Sequence, residues 1–154
     1  MESKKKVAAK RVDTVSLKVV KESSVLYETR KIRNPYDAYI LVRNFLEYND
    51  KEKFIVVCLD TKNQLVNIQV VSIGSLNSAI VHPREVFKIA VLSNASSIIC
   101  FHNHPSGNIN PSGEDENITR RLKECCEILG IGLVDHIIVG DSNTYYSFKE
   151  NNKI

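Results

Sequence analysis

The residues best suited to chemistry lie between Ile98 and Asp115, in the order Ile-Ile-Cys-Phe-His-Asn-His-Pro-Ser-Gly-Asn-Ile-Asn-Pro-Ser-Gly-Glu-Asp. The run Ser97 to Phe101 is apolar, as in a buried strand, and gives way at once to His102, Asn103 and His104. Side chains two apart on a strand share a face, so His102 and His104 project together at its end. Pro105, Ser106 and Gly107 then turn the chain. From Ser112 a helix is expected, whose first turn can swing Asp115 back towards the histidines. Two imidazoles and a carboxylate are a ligand set for catalytic zinc, with a fourth position left for water. Other readings stay open: a strand-end histidine is commonly structural, and Ser112-x-x-Asp115 has the form of a capping box. One carboxylate can serve both purposes.

The spacing His102-x-His104, seven residues, Ser112, two residues, Asp115 resembles the JAMM metalloprotease motif of the MPN domain. The longer wording His-Asn-His-Pro-Ser-Gly…Pro-Ser…Asp is similar to that of the bacterial RadC group. The resemblance extends upstream through Gly74-Ser75-Leu76-Asn77 and Val81 to Phe87, and downstream through Val134 to Gly140. It covers roughly residues 34–148. It implies a single MPN-like α/β (α+β) domain, with a mixed sheet flanked by helices in cytidine-deaminase-like layering. It also implies one zinc ion on His102, His104 and Asp115, and hydrolysis of a peptide or isopeptide bond. The general base falls on Glu52, just before the first central strand. Read without the resemblance, Glu52 is a surface residue between two lysines. Ser112 matches the motif serine that steadies the oxyanion. Glu85 is the competing base, but it sits inside an expected helix.

Zinc lowers the pKa of a coordinated water to about 7, which is why three ligands and a nearby base suffice for hydrolysis. Asn103, Ser106 and the Gly107 amide are expected to shape the loop around the metal. His136, in an apolar run beside Asp135, reads as a core histidine or as support for a ligand. His82 is not expected to be a ligand. Cys100 shares the parity of the two histidines but lies deeper in the apolar run, so it reads as core. The zinc deaminases carry His-x-Glu…Pro-Cys-x-x-Cys. This chain has His-x-His and Pro-Ser-x-x-Asp instead. Substrate selection is expected from the loops 74–81 and 107–110.

These residues need a scaffold, and the pattern supplies one. Asn34-Pro35 opens a helix running to about Tyr48. Phe54–Leu59 reads as a buried strand, and Asp60–Asn63 turns it into a partner over Leu65–Ile73. Pro83–Leu92 has helical spacing. The helix from Ser112 to Leu129 stops at Gly130. Leu133–Val139 and Thr144–Phe148 form a closing hairpin. Upstream, the alternation in Thr14–Val20 and the run Ser24–Ile32 predict two further strands at the sheet edge.

With 154 residues the chain suits one domain, burying roughly 70% of its unfolded surface. The division expected is a basic arm over 1–33 and the metal-binding domain over 34–154. The arm holds ten basic and four acidic residues, a balance of +6, against −3 for the rest. That asymmetry allows a weak contact with nucleic acid, and a solvated tail is the plainer reading. Longer RadC proteins resemble a helix-hairpin-helix DNA-binding module joined to this domain. Residues 1–33 have neither its length nor its Gly-containing hairpin. A DNA-associated accessory protein with a structural or vestigial metal site is therefore the second reading.

No apolar run approaches the ~20 residues that span a bilayer, and no membrane contact is expected. The N-terminus lacks a signal-peptide core. The four cysteines, Cys58, Cys100, Cys125 and Cys126, form no Cys-x-x-Cys pair. Together these predict a cytoplasmic protein.

Overall fold

The computed structural model describes residues 9–74 and 81–154. Three helices and five strands follow in the order α1 (Pro35–Leu46), β1 (Glu52–Leu59), β2 (Leu65–Gly74), α2 (Pro83–Leu92), β3 (Ser97–Asn103), α3 (Gly113–Leu129), β4 (Gly132–Val139) and β5 (Tyr145–Ser147). The strands form one mixed sheet in the order β2-β1-β3-β4-β5. Only β3 and β4 run parallel, joined by α3. The expected α+β architecture with a mixed, helix-flanked sheet is the one observed.

Local chemistry sets most boundaries. Asn34 accepts the Asp37 amide at 2.9 Å and Pro35 supplies the first helical residue of α1. His82 caps α2 through Nδ1, which accepts from the Arg84 amide. Gly130 ends α3 at a left-handed φ of 68°, a conformation that favours glycine. Period-two alternation then sorts the central strands onto two faces. Ile55, Val57, Ile99, Phe101 and Ile137 pack under α1. Phe54, Val56, Cys58, Ile98 and Cys100 pack under α2 and α3. His102 and Glu52 share the parity of the second set, so both belong to the face that α3 covers. β3 is buried along its whole length.

The two strands expected in the arm are not formed. Residues 9–34 contain no strand, and residues 9–26 are exposed throughout. Val15, Leu17 and Val20 keep 79%, 75% and 68% of their surface in solvent. Alternation qualifies a segment for a sheet, but a strand also needs a neighbour for its amides, and none of the described strands offers one. The arm joins the domain where the Ile32 amide donates to the Asn63 carbonyl at 3.1 Å. Residues 75–80, which carry part of the upstream motif and one of the two expected specificity loops, lie outside the described residues, as do Lys4, Lys5 and Lys6.

Candidate metal centre

His102 is the last residue but one of the buried strand β3, and His104 follows directly after the strand in the loop to α3. Asp115 stands in the first turn of α3, held by a complete capping box: the Ser112 hydroxyl accepts the Asp115 amide at 3.1 Å, and Asp115 Oδ2 accepts the Ser112 amide at 2.7 Å. The structure brings all three side chains together. His102 Nε2 is 3.1 Å from Asp115 Oδ1, His104 Nε2 is 3.2 Å from Oδ2, and the two Nε2 atoms are 3.2 Å apart.

Hydrogen bonds behind these atoms decide where the protons sit. The Thr119 hydroxyl donates to the Asp115 carbonyl at 2.6 Å, which uses its one hydrogen. It must therefore accept from His136 Nδ1, 2.6 Å away. His136 is fully buried, and burial holds its imidazole well below the usual histidine range, hence neutral. Its Nε2 is then an acceptor and takes the proton of His102 Nδ1 at 2.8 Å. The Asn108 carbonyl likewise takes the proton of His104 Nδ1 at 2.7 Å. In the neutral rings both Nε2 atoms are consequently bare lone pairs aimed at a carboxylate. Three acceptors at this spacing repel one another unless a cation or a proton lies among them. The donor set of two imidazole nitrogens and one carboxylate oxygen, all within 4.8 Å of one another, fits a divalent metal ion.

A family model described as RadC-like JAB domain matches residues 32–153. The chain belongs to the RadC-like JAB family. A UPF0758 protein of Clostridioides difficile (strain 630) is 54% identical over 121 residues, which is 79% of this chain and 51% of that relative. A UPF0758 protein of Methanosarcina barkeri is 49% identical over 129 residues, covering 84% of this chain and 56% of the relative. The chain spans about half the length of these curated relatives.

Electrostatics in this JAB domain follow from the same contacts. Burial would raise the Asp115 carboxyl, but the two histidines when protonated, with the Ser112 amide, outweigh it and hold it well below the carboxylate range. His104 is pushed up, first by its hydrogen-bond partner Asp115, against a smaller opposing effect of burial. A proton on His104 is thus the competitor of a metal ion. Glu52 is half-buried, and burial raises its carboxyl, while His102 and His104 pull the other way in their protonated forms.

Glu52 lines the same cleft as His102, Ser112 and Asp115, an open hollow of about 260 Å³. Phe54 faces His102 at the last pair of the β1–β3 ladder, and Glu52 lies two residues beyond Phe54 on the same face of β1. A larger hollow of about 350 Å³, between residues 25–29 and α1, contains none of these side chains. Glu85 is outside the cleft lining and pairs with Lys88 on the surface of α2 at 2.7 Å. Cys100 lies in the apolar layer, its thiol driven well up by burial. Ser112 donates its hydroxyl to Asp115 Oδ2 at 2.8 Å. To steady an oxyanion, as the resemblance implies, that hydroxyl has to turn away from Asp115.

Around the histidines the loop is shaped partly as expected. The Gly107 amide donates to the His104 carbonyl at 2.8 Å, and Ser106 Oγ accepts from the Asn108 amide at 3.3 Å. Asn103 differs: its side chain turns away from the loop and onto the start of β1. Thr119 was missed by sequence reading. Its one signal is its place four residues after Asp115, one turn along the same helix face.

Proposed function

We propose that this RadC-like JAB domain is a zinc-dependent hydrolase of peptide or isopeptide bonds. His102, His104 and Asp115 would hold the ion, Glu52 would carry the proton and Ser112 would assist. The observation that carries this reading is the convergence of two bare imidazole lone pairs and a carboxylate, with His102 and Asp115 lining one open cleft together with a half-buried glutamate. Zinc bound there supplies Lewis acidity, polarising an amide carbonyl and letting a water ionise near neutral pH. Glu52 takes the proton from the attacking water and returns it to the departing amine nitrogen. Its raised pKa suits the first half of that transfer, since a carboxylate of ordinary pKa takes up a proton only weakly at neutral pH. Ser112 keeps Asp115 Oδ2 occupied by two hydrogen bonds, which leaves Oδ1 as the oxygen without a Ser112 donor. Phe54 and Val81, with Ile118 of α3, give the cleft apolar wall for a substrate chain.

The test combines metal analysis of protein purified without added zinc with chelator-sensitive cleavage of a peptide library. One metal ion per chain is expected, with cleavage that stops in EDTA and in His104→Ala. Cleavage that persists in His104→Ala would overturn the reading.

The exposure of residues 9–26, in an arm whose sequence is net basic, supports a second reading, a weak contact with nucleic acid. Deleting residues 1–11 is then expected to reduce retention on DNA and its salt dependence. Unchanged retention would exclude it.

A further inference from the structure

The ladder between β1 and β3 ends at Phe54 and His102. Glu52 lies beyond that end, where β3 no longer holds it through backbone pairing. The side chain of Asn103 takes over there. Its Oδ1 accepts the Lys53 amide at 2.9 Å, and its Nδ2 donates to the Lys51 carbonyl at 3.1 Å. Those two groups belong to the two rigid peptide planes that flank the Glu52 α-carbon. Their relative rotation is the φ and ψ of Glu52, and so sets the direction of its Cα–Cβ bond. A carboxamide carries its acceptor and its donor on two separate atoms, so one Asn side chain can hold both peptide planes at once. Asn103 is itself immobilised: it is 2% exposed, and its backbone is in register with Val139 of β4. It also stands between His102 and His104 in the chain, so it ties the glutamate to the metal-binding residues at a fixed offset.

We propose that Asn103 is a positioning residue that aims the Glu52 carboxylate at the metal site by clamping the peptide groups on either side of it. The inference rests on the proposed role of Glu52 as proton carrier. It explains why a polar side chain is buried between the two histidines yet turned from them, which neither metal binding nor loop shaping requires.

The experiment uses the full chain loaded with Co²⁺, with ¹³C-labelled glutamate and histidine, and compares wild type with Asn103→Ala and Asn103→Asp. In the wild type the Glu52 carboxyl carbon is expected to show a paramagnetic shift. In Asn103→Ala that shift should collapse while the histidine shifts persist and Co²⁺ affinity changes by less than about threefold, against the roughly 10–100-fold loss typical when a partner of a metal ligand is removed. Asn103→Asp keeps the acceptor and loses the donor, so it should fall between the two and serves if Asn103→Ala does not fold. A Glu52 shift that is unchanged in both variants would overturn the clamp alone. Absence of that shift in the wild type, or of Co²⁺ binding, would overturn the role of Glu52 and the clamp with it.

Discussion

His136 Nδ1 and Thr119 Oγ1 lie 2.6 Å apart, and this contact determines which nitrogen of His102 is left bare. The Thr119 hydrogen is committed to the Asp115 carbonyl, so one hydroxyl links the helix that carries the acid to the strand that carries the histidine. His136 is further held by stacking on Phe148, with ring centroids 4.9 Å apart and planes within 9°. The ring that orients the ligand is therefore itself packed in place.

Thr119→Val keeps the volume of the side chain and removes the hydroxyl. The His136 Nδ1 proton loses its acceptor, the tautomer of His102 is no longer specified, and metal affinity should fall roughly 10-fold or more. Competition with a chromophoric chelator measures it. Affinity equal to wild type would mean that the relay does not orient His102.

Asp115 and Ser112 separate capping from ligation. Ser112→Ala removes an N-cap and should lower stability by about 1 kcal/mol, with one metal ion still bound. Asp115→Ala loses the other half of the capping box and the carboxylate, so it should lower stability in EDTA and also abolish metal binding. Thermal melts with and without EDTA, paired with metal analysis, resolve the two effects.

Glu52→Gln should stabilise the metal-free protein at pH 7. Burial raises the folded-state pKa of Glu52 above its ordinary value of 4.5, so its favourable contribution is complete only below that value. The contribution is lost as pH rises through the raised pKa. At pH 7 the wild type thus buries a charge that glutamine does not. Melts in EDTA should show the variant more stable at pH 7, with the difference vanishing near pH 4. A variant less stable than wild type at pH 7 would contradict the sign.

Gly107 has φ +75°, and a Cβ added there would meet Asp141 Oδ2 at 2.6 Å. Asp141 cannot easily retreat, because its Oδ1 accepts the Tyr48 amide at 2.9 Å. Gly107→Ala should therefore cost about 1 kcal/mol or more and weaken metal binding by displacing the turn that carries His104. Unchanged metal affinity would show that the turn tolerates the shift.

Much of the scaffold is legible from residues alone because its signals are local. Asn34-Pro35, Pro83 and Gly130 mark helix ends through backbone preferences that depend on few neighbours. The parity of His102 and His104 follows from strand geometry, and Ser112-x-x-Asp115 reads as a capping box because the box is a four-residue object. The arm shows the limit of such signals. Thr14–Val20 alternates as a strand should, but no described strand pairs with it.

The chemistry of single side chains, and the spacing that puts two imidazoles and an acid within reach of each other, was thus decided by order along the chain. Four relationships were decided only in three dimensions: Glu52 in the cleft with His102 and Asp115, Asn103 on the flanking peptides of Glu52, Thr119 between Asp115 and His136, and His136 behind His102. Each joins segments that meet through sheet register or helix packing. Those depend on burying the two apolar faces of one sheet at once, a condition that no short stretch of sequence contains.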